Sequence, residues 1–306
     1  MKKILAVILT CFAFSFAYAG GNTYNMYLPV GAGGPTDLVL RAVAEVYSKN
    51  TGNTIVPKNV TGANSIPGMV AFKQDNKPAI IGLNSSLEVF NHVLLKDLPY
   101  SDDDVDYVSG VTSIPGLWVV AKNSPYMSMK DLNNLNKSAK PFVGVSATFE
   151  EVNAKQLFAV NKWKEKDAEL VRYKGAPDIA LAIVSGQVDV GFISINPSLV
   201  QFIEKGDLRV LGHSGFGTMT IGGIKVPAAG PLLGTEQFTG LAFLGINKQF
   251  SKEEADKIKA DLITAIKDPS VQEVIKKLNA QHMEQDGKAM REFVKKYRAD
   301  LNKILK

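Results

Sequence analysis

The residues best suited to chemistry in this chain are small and polar, and they recur just past apolar runs. In Leu28–Arg41, an alternating stretch ends at Val30 and passes through Gly31, Ala32, Gly33 and Gly34 to Pro35 and Thr36. Proline is favoured at the first position of a helix, where its missing N–H has no intrahelical partner. Such a turn leaves unpaired N–H groups at the positive end of a helix dipole, an arrangement that accepts anions. Asp37 reads as closing the helix cap, because an acidic group in the first turn is stabilising. Three later junctions share the design: Asn84-Ser85-Ser86, Ser146-Ala147-Thr148 and Ser194-Ile195-Asn196. One such junction is ordinary. Four predict a cleft lined with donors for a small anionic or polar ligand.

Other chemistries fit less well. A G-x-G-x-x-G fingerprint fails at Thr36, and no Gly-Lys-Ser/Thr follows for a P-loop. The run Asp102-Asp103-Asp104-x-Asp106 lacks the sixth-position Gly and the closing Glu of a calcium loop, so it reads as a solvated turn. A hydrolase would need Ser146 as nucleophile, yet Gly144-x-Ser146-x-Thr148 lacks the last Gly of a nucleophile elbow. The only histidines, His92, His213 and His282, stand in no triad or metal-ligand spacing. Neither a metal nor another cofactor is expected.

The elements that position these junctions alternate. Strands are expected at Tyr24–Val30, Ala79–Leu83, Leu117–Ala121, Phe142–Val145, Leu170–Tyr173, Val188–Ile193 and Leu208–Gly212. Helices are expected from Pro35, at Leu87–Leu95 behind a Ser85-x-x-Glu88 capping box, and at Ser128–Lys137. Another follows a Thr148-x-x-Glu151 box, and others lie at Asp178–Ser185 and after Asn196-Pro197. The tail from Ser251 is helical, with Ser251-x-x-Glu254 as its cap and further helices at Pro269–Leu278 and Lys288–Leu305. Alternation of this kind implies parallel sheets, whose ligands bind beyond the carboxyl ends of the strands.

Residues 1–19 read as a leader: Lys2 and Lys3, an apolar run from Ile4 to Phe16, then Ala17-Tyr18-Ala19 as a cleavage signal. The run is short for a membrane span, which takes roughly 20 residues. An exported, periplasmic protein of two-domain length is expected, cleaved after Ala19. Removing Lys2 and Lys3 takes the formal charge from +5 to +3. The remaining lysines concentrate in the C-terminal helices, a solvated surface and not a nucleic-acid footprint. The one cysteine, Cys11, lies in the leader, where a lipoprotein anchor fits less well than Ala-Tyr-Ala cleavage.

With the junctions laid out, the chain resembles the substrate-binding receptors of the tripartite tricarboxylate transporter family, also called Bug-type receptors. The family's opening pattern stands as Pro29, Gly33, Gly34, Asp37 and Arg41, and its Asn-x-x-Gly-Ala loop as Asn59, Gly62 and Ala63. Leu98-Pro99-Tyr100, Tyr173-Lys174-Gly175, Gly186-Gln187-Val188-Asp189 and Gly206-Asp207-Leu208-Arg209 follow in order. The resemblance implies a two-lobed, type II-like periplasmic binding protein, with two Rossmann-like lobes, a hinge and an interlobe cleft. One lobe would hold residues 20–120 plus 221–306 and the other 121–220, with crossings near Leu117–Ala121 and Leu208–Gly212.

It also implies a monomer that captures a di- or tricarboxylate or related organic acid and delivers it to integral membrane permease subunits. The implied ligand contacts are Val30, Gly31, Ala32, Gly33, Gly34, Thr36, Asn84, Ser85, Ser146, Ala147, Thr148, Phe149, Lys174, Ser194 and Asn196. Two segments depart from the family pattern. The usual Gly-Ser-rich loop reads Gly144–Phe149, so Phe149 would narrow the pocket or stack on a ring, and Val226–Gly230 replaces a Pro-Thr-x-x-Glu segment. A sensing partner of a membrane kinase would share the same capture chemistry.

Overall fold

The computed structural model describes residues 21–132, 140–146, 148–164, 166–235, 237–283 and 285–305. The expected leader, Ala147 and the 133–137 part of the expected helix at Ser128–Lys137 lie outside them. The chain opens with β1 (Thr23–Leu28) and α1 (Pro35–Thr51). Helix α1 ends where Gly52 takes a φ of 73° and returns its N–H to the Ser48 carbonyl, the left-handed cap that glycine adopts without cost. Its inward stripe of Val39, Leu40, Val43, Val46 and Tyr47 packs on Met26, Leu28 and Ile80. Strand β2 (Thr54–Asn59), α2 (Ile66–Gln74) and β3 (Ala79–Asn84) follow. A π-helical turn, Ser86–Phe90, then runs into α3 (Asn91–Leu94) before β4 (Asp106–Ile114).

Past Pro115 the chain enters a second sheet. It comprises β5 (Gly116–Ala121), α4 (Met129–Leu132), β6 (Phe142–Val145), α5 (Thr148–Val160), β7 (Glu169–Arg172), α6 (Ala176–Val184), β8 (Val190–Ser194), α7 (Pro197–Glu204) and β9 (Leu208–His213). A hairpin, β10 (Thr218–Ile221) with β11 (Ile224–Pro227), and the short α8 (Ala229–Leu233) come next. The chain returns through β12 (Gly240–Ile246), α9 (Lys252–Ile266), α10 (Pro269–Lys277), β13 (Gln281–His282) and α11 (Gly287–Leu305). Among the described residues, no helix is long and apolar enough to cross a membrane.

The two sheets have the orders β13-β4-β12-β3-β1-β2 and β7-β6-β8-β5-β9. They are mixed and not parallel throughout as the alternation implied: β12 and β4 are antiparallel to their neighbours in the first, β5 and β9 in the second. The reason is the double crossing, since a strand that carries the chain out and one that brings it back must run in opposite senses. Pairing of Ala242 with Asn84 and Gly240 with Ile114 puts the ends of β1–β3 on the edge where β4 leaves. Pairing of Gly116 with Ser194 puts the ends of β6–β8 on the edge where β5 enters. The carboxyl ends of both parallel sets therefore meet across Pro115.

The lobe boundaries expected at 120/121 and 220/221 both move. Strand β5 already pairs with β8 and β9, so the second lobe starts at Gly116. Ile221, Val226, Ala229 and Leu233 are buried in the second lobe's two cores, and Gln237 bonds Trp118 and Gln156, so that lobe runs on to about Gln237. The strands at Leu117–Ala121 and Leu208–Gly212 are interior to it and are not the crossings. A hydrogen bond ties the two crossings together, Ser113 Oγ meeting Thr239 Oγ1 at 2.9 Å, and the Thr239 N–H donates to Tyr297 Oη on α11 at 2.8 Å.

Helix α11 locks the first lobe through a charged cluster. The Arg298 guanidinium donates to Asp102 at 2.8 and 2.9 Å and to Glu88 Oε2 at 3.2 Å, while the Tyr107 hydroxyl donates to the same Glu88 oxygen. Asp104, in the same turn, pairs with Lys73 at 3.0 Å. Asp102 and Asp104 are thus pinned by cations, while Asp103 is exposed as expected of a solvated turn. Burial pushes Glu88 up to about 7, and burial with the Arg298 charge pushes His92 down to about 4.

Candidate functional site

On the first lobe, the parallel register of Leu28 with Asn59 sets the exits of β1 and β2 side by side. Between them sits Asp37, on the first turn of α1. Its carboxylate accepts from the Gly33 N–H at 2.9 Å, from Arg41 Nε at 2.9 Å and from Asn59 Nδ2 at 2.8 Å. Burial alone would raise Asp37, but these bonds outweigh it and hold the carboxyl below its usual range. The motif residues Gly33, Asp37, Arg41 and Asn59 thus form a brace behind the loop. Gly33, with a φ of 77°, completes it in a conformation a side chain resists. In front of the loop is open space: a Cβ on Gly31 or Gly33 would meet nothing within 4 Å. Replacing Asp37 with Ala leaves Arg41 and Asn59 without their acceptor and should cost about 1–3 kcal/mol, read by urea unfolding.

A second loop stands beside the first. Gly62, Ala63, Asn64 and Ser65 have φ values of 103°, 35°, 55° and 70°. Three successive non-glycine residues in this region store strain of order 1–2 kcal/mol each, and such strain persists only where surrounding bonds impose it. Here Ser65 Oγ donates to the Pro29 carbonyl at 2.8 Å and accepts from Asn84 Nδ2 at 3.2 Å, while Asn91 Nδ2 holds the Asn64 carbonyl at 2.9 Å. Ser65 therefore joins the exits of β1, β2 and β3. Asn64 and Ser65 are not among the contacts the resemblance implies; the signal for them is the small, polar run behind Gly62.

The junction after β3 divides. Asn84 Oδ1 accepts from the Leu87 N–H at 3.0 Å, replacing the expected Ser85–Glu88 box, because Glu88 is committed to Arg298 and Tyr107. Ser85 is buried; its Oγ accepts from the Leu241 N–H at 2.7 Å and donates to the Thr239 carbonyl at 3.2 Å. It fastens the return crossing and has no free face toward a cleft.

On the second lobe an internal carboxylate stands where the donors converge. Glu150 Oε2 accepts from the N–H and Oγ of Ser146 at 2.6 and 2.8 Å, and Oε1 from the N–H and Oγ of Ser194 at 2.8 and 2.5 Å. Glu150 is fully buried. The expected Thr148–Glu151 box is absent because Glu151 faces Lys155, at 2.9 Å, and Arg172 instead. Asn196 spends its amide on the Leu199 N–H and the Ser194 carbonyl. Thr148 and Lys174 remain exposed, past the ends of β6 and β7. The Phe149 ring lies edge-on to Phe192 at 6.2 Å and packs against cores of both lobes, so it spaces the lobes as well as facing between them.

The hydrolase reading fares poorly. The Ser146 hydroxyl donates to a carboxylate, and among the described residues no histidine is hydrogen-bonded to it. His213 is buried with Nδ1 accepting from the Gly215 N–H, and His92 sits in the Arg298 cluster. Several motif residues are structural: the Tyr100 hydroxyl donates to the Leu87 carbonyl, Asp189 takes the Phe142 N–H, and Arg209 gathers the carbonyls of Lys122, Ser124 and Tyr126.

Comparison with known proteins places this geometry. A profile described as the Tripartite tricarboxylate transporter family receptor matches residues 39–306. Protein BugT of Bordetella pertussis is 23% identical over 226 residues, covering 69% of this chain and 68% of BugT. Among solved structures, a TctC solute-binding protein from Polaromonas superposes with a TM-score of 0.79 at 17% identity, over 93% of this chain and 98% of that one. MatC from Rhodopseudomonas palustris, with bound malate, gives a TM-score of 0.71 at 18% identity, over 93% and 99%.

Proposed function

This chain belongs to the tripartite tricarboxylate transporter receptor family, and from that premise we propose that it captures a small carboxylate between its lobes, in the periplasm, for delivery to a membrane permease. It acts by binding and hinge closure, not by turnover. The observation that carries the reading is the open loop Val30–Thr36, braced from behind by Asp37 at the carboxyl ends of β1 and β2. The first-turn N–H groups there suit an anion, and the Asp37–Arg41 pair cancels its own charge, so the site does not repel one. Malate bound to MatC, of the same fold, supports the ligand class. Thr36, Asn64, Thr148, Phe149 and Lys174 are the side chains offered to it.

The test is a thermal-shift screen of small carboxylates followed by calorimetry, since a ligand that binds only the folded state raises its melting temperature. At least one acid should shift the wild type. Gly31→Val puts methyls into the open space before the loop, where no protein atom is displaced, and should weaken that acid at least about tenfold with melting unchanged. Equal affinity in wild type and variant would move the site elsewhere.

A further inference from the structure

We propose that Glu150 restricts this receptor to ligands carrying a single carboxylate, presented to the first lobe, with an uncharged group toward the second. The inference rests on the carboxylate reading above and narrows it. In a cleft built for a ligand with two anionic ends, each lobe supplies its own set of donors. Here the second lobe has such a set, at the ends of β6 and β8: two N–H groups and two hydroxyls, from Ser146 and Ser194. All four close on one carboxylate, and it is the chain's own. Each Glu150 oxygen takes one N–H and one hydroxyl, so the set is filled two by two.

Two consequences follow for a guest. A second carboxylate reaching this edge finds the Ser146 and Ser194 donors spent, and burying it unsatisfied is costly. It also meets a like charge in a cleft whose closure excludes water, where repulsion is poorly screened. The Asn196 amide, committed to the Leu199 N–H and the Ser194 carbonyl, does not make up the loss. The first lobe differs in degree and in charge: its acid, Asp37, is neutralised by Arg41, lies behind the loop and takes one loop donor, the Gly33 N–H, leaving the Gly31 face open. The half-buried Phe149 ring offers an apolar wall for the body of the ligand.

The experiment is calorimetry on the wild type at pH 8 with matched acids: butanoate and succinate, hexanoate and adipate, benzoate and terephthalate. The single acid of a pair should bind at least about tenfold more tightly than its double counterpart. Glu150→Gln, checked for folding by its melting curve, should shrink that ratio by improving the diacid. A diacid bound as tightly as its partner by the wild type overturns the proposal without touching the carboxylate reading. Binding by no member of any pair overturns the carboxylate reading for these acids, and the proposal falls with it. The wild-type comparison stands whether or not the variant folds.

Discussion

Replacing Arg298 with Met should lower the unfolding free energy by about 3–5 kcal/mol at pH 8, the usual cost of stripping one partner from a buried ion pair. Among the described residues, Arg298 alone hydrogen-bonds both Glu88 and Asp102, and its side chain is 14% exposed against 2% for Glu88. Its Nε also donates to the Glu88 carbonyl, so the variant leaves a backbone acceptor unpaired as well. Burial and the lost cation together drive Glu88 to take up a proton, so the penalty should shrink at pH 5. Urea unfolding at the two pH values measures both effects. A loss below about 1 kcal/mol at pH 8 would mean that α11 is held by its apolar face alone.

Glu88→Gln should tilt the pH dependence of stability by about 3 kcal/mol between pH 4.5 and 7. In the folded protein Glu88 holds its proton up to about 7, whereas the unfolded chain releases it near 4.5. Stability from this group is therefore greatest below the unfolded value and falls as pH rises through the window. His92 runs the other way: its folded value near 4 lies below the unfolded 6.5, so its stability contribution grows as pH rises between them. The two slopes oppose each other over almost the same interval. The depressed carboxyls Asp37, Asp102 and Asp104 act only lower, around and below 3.8. Burial also holds His213 below its ordinary value and adds to the His92 slope, so wild-type stability should rise only modestly from pH 4.5 to 7, and Glu88→Gln should steepen that rise. His92→Phe should expose a fall. Chemical denaturation across that range checks all three, and parallel curves for wild type and Glu88→Gln would refute the assignment.

What the sequence disclosed was local. Pro35, the Asn196–Pro197 start and the Ser251–Glu254 box announce helices within a few residues, and each stands where it was read. The four junctions follow from the same short-range signals. What it hid depends on distance along the chain. Ser85 looks like a cap until Thr239 and Leu241 arrive from more than 150 positions away. Glu150 looks like an ordinary first-turn acid until Ser194 closes on it from 44 positions away. Gly240–Ile246 lies in glycine-rich surroundings that obscure a central strand, and with it the true return crossing. The donors were legible; their occupants were not.

Because the second lobe is threaded out at Pro115 and back at Thr239, the first and last described elements, β1 and α11, belong to the same half of the molecule. Reporter dyes fused at the two ends would therefore be blind to any swing of one half against the other. A distance probe must instead span the halves, for instance from Thr61 to Lys174, both exposed. The single cysteine, Cys11, lies in the expected leader, so in a chain expressed without residues 1–19 a pair introduced at those positions would carry the only thiols and could be labelled without background.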